Sequence, residues 1–268
     1  MSGAPPPRLE VCGLSATYAA DSRHAEVAAL RDVSFELRRG EFVSIVGPSG
    51  CGKTTLLKML AGLLVPSAGQ MLIDGVEPPE LLGRLGYMPQ NDHLMPWRTT
   101  LDNVTLGLEL AGTGRPAARE IARRELELFG LAGFEDHWPR ALSGGMRQRA
   151  ALLRTFLAGR DVLLLDEPFG ALDALTREAM REWLLGVWEA DRKTILLVTH
   201  DVEEALFLSD RVLVMCGRPG HITTTLEVPL PRPRALALTG EPGFAALKEQ
   251  LLAPLREEAR LRLTVAAP

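Results

Sequence analysis

Residues 42–54 constrain this chain more than any other stretch. They read Phe42-Val43-Ser44-Ile45-Val46, then Gly47-Pro48-Ser49-Gly50-Cys51-Gly52-Lys53-Thr54. The first five form an almost continuous apolar run, as expected of a strand buried on both faces. The next eight fill the pattern G-x-x-x-x-G-K-[ST] completely, and a helical stretch over 53–64, closed by Pro66, follows. Strand, tight turn and helix start direct a row of backbone N–H groups at one point, and only small residues let the backbone approach an anion that closely. The helix beginning near Lys53 aims its positive dipole end there too. A polyphosphate fits such a cradle. Lys53 adds charge to the β- and γ-phosphates, the Thr54 hydroxyl is placed to ligate Mg2+, and Thr55 continues the turn. Cys51 reads as inert filler, although a bulky adduct on its thiol would block the phosphates.

A second constellation supplies hydrolytic chemistry. Residues 162–165 are a buried strand that ends in Asp166-Glu167-Pro168. Two acids at a buried strand end are costly unless each has a task. Asp166 is placed to hold Mg2+ through water, and Glu167 to act as general base on an attacking water. His200 follows a strand and so projects from a strand's carboxyl end, where α/β sheets bind ligands; it is assigned to the γ-phosphate and the water. Gln90 lies 37 residues after Lys53, behind a strand over 84–88. Its amide can reach the metal or the water while its backbone leads into a different part of the chain, so it reads as a coupler.

The pattern along the chain gives the architecture. Strands are expected over Leu9–Tyr18, 33–37, Phe42–Val46, 70–74, 84–88, 162–165, 194–198, 211–215 and His221–Glu227. The middle third reads instead as helices over 100–111, 116–130 and 144–158, with Thr100 and Ser143 as N-caps and Gly130 as a C-cap. Helices over 174–188 and 202–208 follow. Strands, a helical block and strands again imply an α/β phosphate-loop core with an antiparallel β subdomain near the N-terminus and an inserted helical lobe. The expected division is a tail over 1–8, a main domain over 9–230 with its lobe at about 91–159, and an appendage over 231–268. The appendage opens with a Pro-rich hinge and ends in an amphipathic helix over about 242–260 that Pro254 should kink or break.

Composition narrows the class by exclusion. The 268 residues carry a net charge of −4 with no Lys/Arg block, so no nucleic-acid-binding face is expected. Three scattered cysteines, Cys12, Cys51 and Cys216, suit neither a disulfide framework nor a zinc site and fit a reducing compartment. The small, Pro-rich N-terminus lacks the layout of a signal peptide, and no run of 18 apolar residues offers a membrane span. Any membrane role must come through a partner.

The segment Leu142-Ser143-Gly144-Gly145-Met146-Arg147-Gln148-Arg149 discriminates further. By itself it is a capped helix start with a Gly pair, another anion-ready terminus. Between the phosphate loop and the acidic strand it resembles the signature of the ATP-binding cassette (ABC) family, whose pattern covers the chain from about 9 to 230. Phosphate loop, Gln90, signature, acidic strand, Ala171-Leu172-Asp173 and His200 stand in the family's order. Met146 stands where many relatives carry Gln.

The resemblance implies an ATPase that binds ATP and Mg2+. It implies two cassettes closing head to tail, each ATP lying between one subunit's Lys53 loop and the other's Ser143, Gly144 and Gly145. It implies that Asp173 communicates across the pair. Tyr18 occupies the place of the family's adenine-stacking aromatic; by sequence it could equally be a strand-end surface residue. Leu94-Met95-Pro96-Trp97, the stretch Phe169 to Asp173, Arg218-Pro219-Gly220 and Pro231-Arg232-Pro233-Arg234 look like the nitrate/sulfonate/taurine importer branch. The partners so implied are a membrane permease and, indirectly, an extracytoplasmic solute-binding protein, with the chain peripheral at the cytoplasmic face of the inner membrane. Met95 and Trp97 fit either a groove for a permease helix or the packing of the lobe. Two other functions compete. A non-transport cassette ATPase of DNA repair, chromosome handling or translation is disfavoured by the single cassette and the missing basic patch, and a phosphate-loop kinase by the Ser143–Gly145 element.

Overall fold

The computed structural model describes residues 6–18, 26–170 and 172–265, with side chains through 261. Most of the expected N-terminal tail, and Ala171, lie outside the described residues. Strands β1 (Leu9–Tyr18), β2 (Val27–Leu37), β3 (Phe42–Val46), β4 (Ala68–Ile73), β5 (Gly86–Met88), β6 (Val162–Asp166), β7 (Thr194–Thr199), β8 (Arg211–Cys216) and β9 (His221–Glu227) form two sheets. The smaller is antiparallel, in the order β2-β1-β4. The larger runs β5-β6-β7-β3-β8-β9, parallel except for its β9 edge. Every residue of β3, β6, β7 and β8 is buried, which explains why their sequences are mainly apolar rather than alternating. β9 alternates between exposed and half-buried positions, as an edge strand should.

Register positions the chemistry. In β7, Val198 pairs with Asp166 of β6 and with Ile45 of β3, and Thr199 pairs with Val46. The chain therefore leaves β3, β6 and β7 at one height, and Gly47, Glu167 and His200 emerge side by side. Met88 of β5 pairs with Leu165, which starts the Gln90 loop at the same edge. Val214 of β8 pairs with Val46 on the other flank of β3.

Helix α1 (Lys53–Leu60) follows the phosphate loop. Helices α2 (Thr100–Val104), α3 (Leu106–Leu110), α4 (Arg115–Leu128) and α5 (Gly144–Leu157) make the inserted lobe. Helices α6 (Ala174–Asp191), α7 (Val202–Leu208) and α8 (Pro242–Val265) complete the order. One hydrophobic cluster joins Leu101, Leu126, Phe129 and Leu153 of the lobe to Leu163, Leu165 and Trp188 of the core. A second fills the space between the antiparallel sheet, α1 and the other sheet face. Phe129 packs edge-on against Phe156 and against Trp183 of α6, so lobe and core share aromatic contacts.

Several expectations need correction. The N-cap of α2 is Thr99, whose side chain accepts from the Asp102 N–H; the Thr100 hydroxyl donates instead to the His137 carbonyl at 2.9 Å. The helix expected over 100–111 is interrupted at Thr105, whose hydroxyl competes for the Asp102 carbonyl at 3.3 Å. Strand β5 covers three residues, and β2 starts six residues earlier than its apolar pattern indicated. Helix α8 continues through Pro254 without breaking, because Leu251, Leu252 and Leu255 pack on the core on both sides of the lost hydrogen bond. The Pro-rich stretch before it is pinned. Buried Arg234 donates to the Leu206, Phe207 and Ser209 carbonyls at 2.9, 3.0 and 2.8 Å, satisfying the C-terminal end of α7. Arg232 bonds Asp210 and stacks on Trp188.

Candidate active site

The phosphate loop takes its shape from glycine. Gly50 and Gly52 have φ of +76° and +100°, a region that side-chain-bearing residues seldom occupy. A Cβ at Gly47 would collide with the Met215 carbonyl, so loop and β8 touch backbone to backbone. Lys53 is buried, and its Nζ donates to the Gly47 and Pro48 carbonyls at 2.7 and 3.2 Å. The ammonium thus sits at the loop's own centre. Cys51 is fully buried and serves as packing.

A cleft of about 580 Å3 opens over this loop. Tyr18, Ser49, Gly50, Gly52, Lys53, Thr54, Thr55, Gln90, Glu167 and His200 line it together. Tyr18 is 46% exposed at the cleft wall, and its hydroxyl lies 3.1 Å from Thr55 Oγ1. Thr54 Oγ1 donates to Asp166 Oδ1 at 3.3 Å. Burial raises the Asp166 pKa; the Thr54 hydrogen bond opposes that rise and the neighbouring Glu167 charge reinforces it. Tyr87 donates to the other Asp166 oxygen at 3.5 Å, and burial followed by the Asp166 charge pushes its own pKa up to about 12. A buried carboxylate beside a hydroxyl is a hard oxygen pair whose desolvation a divalent cation would relieve. No cluster of three or more His, Cys, Asp or Glu side chains able to hold a metal ion exists among the described residues. The Thr54 and Asp166 oxygens suit an ion otherwise completed by substrate phosphates and water, the usual manner of Mg2+.

Glu167 has a left-handed backbone, φ +47°. Its N–H donates to the Val198 carbonyl at 2.8 Å, which ties the bend to β7. Its carboxylate oxygen Oε2 accepts from Gln90 Nε2 at 3.3 Å, and His200 Nδ1 lies 3.3 Å from the same atom. Three residues far apart in sequence thus meet on one oxygen.

Ser143, Gly144, Gly145 and Asp173 lie elsewhere. Ser143 Oγ caps α5 by accepting from the Met146 N–H at 3.2 Å, and Ser143 and Gly144 are exposed. Asp173 caps α6, accepting from the Thr176 N–H at 3.0 Å and its hydroxyl at 2.6 Å. The hydroxyl bond first, and the backbone bond next, lower its pKa. Gly145 packs near Thr176 and Leu172, so both helix starts share one exposed region outside the cleft.

Sequence reasoning missed a layer of support. Asp201, next to His200, caps α7 and bonds Arg181, and Arg177 lies 3.9 Å away. Glu204 is buried 3.8 Å from Arg181. Asp92 accepts from Arg147 at 3.2 Å, while Arg154 donates to the Asp92 and His93 carbonyls at 2.6 and 2.7 Å. No spacing rule marks these contacts, because each joins elements that meet only in the fold.

The parallel sheet with a phosphate loop behind its central strand, an acidic pair on the next strand but one, and a separate capped Gly-pair helix define a nucleotide-hydrolysing cassette. Comparison with known proteins narrows this. The ABC transporter family pattern matches residues 30–170. The taurine import ATP-binding protein TauB of Yersinia pestis bv. Antiqua (strain Antiqua) is 43% identical over 249 residues, covering 91% of this chain and 95% of TauB. The formylaminopyrimidine import ATP-binding protein ThiZ of Halalkalibacterium halodurans is 44% identical over 228 residues, covering 84% and 89%. A solved dimeric ATP-binding cassette in a post-hydrolysis state, bound to ADP and Pi, superposes with a TM-score of 0.72 at 30% identity, covering 83% of this chain and all of that one. The chain belongs to the ABC transporter family, as an ATP-binding and ATP-hydrolysing subunit.

Proposed function

We propose that this chain energises solute import by working as a head-to-tail pair beneath a separate permease, with nitrate, a sulfonate, taurine or a related small solute as cargo. The cargo class is supported by association alone, through the similarity to TauB and the segments that look like that importer branch, since an ATPase subunit does not touch the solute. Among the described residues no helix is long and apolar enough to cross a membrane. A peripheral position on the cytoplasmic side, held by the permease, is part of the proposal, as are an extracytoplasmic binding protein acting through the permease and the absence of a nucleic-acid partner. The cassette proper is assigned to 9–230 and the appendage to 231–268.

The carrying observation is the division of the machinery. Lys53, Thr54, Gln90, Glu167 and His200 share one cleft, while Ser143 to Gly145 and Asp173 are on a separate surface. In the proposed cycle Tyr18 stacks on adenine and residues 47–55 wrap the phosphates. A partner's Ser143, Gly144 and Gly145 cover the γ-phosphate, and Asp173 reports across the pair. Glu167 accepts a proton from water, the water oxygen attacks the γ-phosphorus, and the bond to the β–γ bridging oxygen breaks, giving ADP and phosphate. His200 and Gln90 orient the water and hold Glu167. Thr54 and Asp166, with Gln90 at its edge, would hold Mg2+, whose chemistry is neutralisation of charge on the β- and γ-oxygens.

The test is Glu167→Gln in the full chain. The amide keeps the shape but cannot take the proton. Turnover should fall at least ~100-fold, the scale of general-base loss, while ATP binding persists and a dimer accumulates on size-exclusion with ATP. Wild-type turnover in this variant would remove Glu167 from the base role.

A further inference from the structure

We infer that Arg218, in the turn between β8 and β9, is a direct ligand of the nucleotide's polyphosphate chain and forms a second cationic wall opposite Lys53. The inference rests on the nucleotide reading of the cleft and adds a residue to it. Arg218 lines that cleft. Its guanidinium lies along Gly50: a Cβ there would meet Arg218 Nη2 in a clash, with Cζ at 3.2 Å and Nε at 3.5 Å. Gly50 thus gives up its side chain to let a cation reach the loop's outer face.

The turn is bonded to β2 and packed against the loop. Gly220 N–H donates to the Ala29 carbonyl at 2.9 Å, and its carbonyl accepts from the Arg31 N–H at 3.0 Å. A Cβ at Gly220 would collide with the Cys51 carbonyl, and one at Gly47 with that of Met215. Backbone packing at Gly47 and Gly220 therefore fixes the base of Arg218 against the cradle, while its head is exposed. Among the described residues Arg218 makes no ion pair and no hydrogen bond. Other arginines around the core are bound: Arg211 to Glu41, Arg232 to Asp210, Arg234 to three carbonyls. A guanidinium left without a partner at the rim of an anion cradle is preorganised for a phosphate oxygen, which its planar fork suits better than an ammonium would. The electrostatic setting favours this. Among the described residues Lys53 is the other side chain of fixed positive charge lining the cleft, with Glu167 the acid that lines it too.

The test measures affinity of the full chain, with Mg2+, for a non-hydrolysable β,γ-imido analogue of ATP and for inorganic tripolyphosphate. Wild type, Arg218→Ala, Arg218→Gln and Arg218→Lys are compared by calorimetry. Both uncharged variants should bind both ligands about tenfold more weakly, the loss expected of one exposed charge-assisted hydrogen bond. Arg218→Lys should recover part of it, and the salt dependence should be shallower without the charge. An exposed side chain with no bonded partner can be removed without unfolding the protein, so unchanged thermal midpoints are expected alongside. Wild-type affinity in both uncharged variants would overturn the inference, as would a loss confined to the ATP analogue, which would assign Arg218 to the nucleoside. A wild-type chain that binds neither ligand would instead overturn the nucleotide reading of the cleft, and Arg218's role with it.

Discussion

Glu167 meets two demands at once. A left-handed backbone at a non-glycine residue costs about 1–3 kcal/mol, and it persists only where surrounding contacts over-determine it. Here the N–H bond to Val198 and the carboxylate's neighbours Gln90 and His200 supply them. The motif Asp166-Glu167 was legible because two acids after an apolar run are costly, but its left-handed turn was not, since nothing local in Leu165-Asp166-Glu167-Pro168 demands it. Glu204 was wholly hidden: in sequence it is one acid of a pair opening a short helix. In the fold it is buried, and burial raises its pKa from 4.5 to about 7, against the charge of Arg181 and, further out, Arg177, with Asp201 adding to the rise. The sign follows. Below pH 4.5 both folded and unfolded chains hold the proton. Between 4.5 and about 7 the unfolded chain releases it and the folded chain keeps it, so stability falls, levelling off above. The loss is on the order of 3 kcal/mol for a displacement of that size. Glu204→Gln, neutral throughout, should gain on wild type by that order between pH 4 and pH 8 in urea denaturation. A stability difference that stays constant with pH would contradict the assignment.

The loop between Gln90 and α2 shows how an element presents a residue. Asn103, fully buried, donates to the Met95, Arg98 and Thr99 carbonyls at 3.1, 3.0 and 3.0 Å and accepts from the Met95 N–H at 2.7 Å. Arg98 N–H closes a turn onto the Met95 carbonyl at 3.0 Å. Trp97 stands on that rigid turn, 70% exposed, with Leu94 buried beneath the loop. Of the two readings left open for Trp97, an interface fits this exposure and lobe packing does not. Trp97→Glu should leave thermal stability within ~0.5 kcal/mol of wild type and keep ATP turnover, while co-purification with the permease is lost. Retained co-purification would remove Trp97 from the interface. At this scale the sequence was informative about helices with a clear cap or apolar face, such as α5, α6 and α7. It was misleading where a side chain competes for backbone partners, as Thr99, Thr100 and Thr105 do around α2.

At the scale of the whole molecule, strand order decides what the chemistry can use. The residues after β3, β6 and β7 were identified as site candidates from their types, yet their adjacency depends on β7 lying between the other two, which no periodicity reveals. The same holds for Arg218, whose place beside the cradle follows from β8 flanking β3 on the other side. The lobe is fastened to the site through Asp92 and Arg147, which tie the Gln90 loop to the helix that Ser143 starts. Movement of either would be felt by the other. Ser143 is nonetheless outside its own chain's cleft.

The most direct measurement is ATP turnover per chain as a function of protein concentration, for wild type and for Ser143→Asp. Asp preserves the cap on α5 but places a negative charge where a partner's γ-phosphate would lie. A shared site predicts wild-type turnover per chain that rises with concentration, and a Ser143→Asp protein that folds, binds ATP and hydrolyses it at least ~100-fold more slowly. Turnover per chain independent of concentration, and equal in the two proteins, would contradict it.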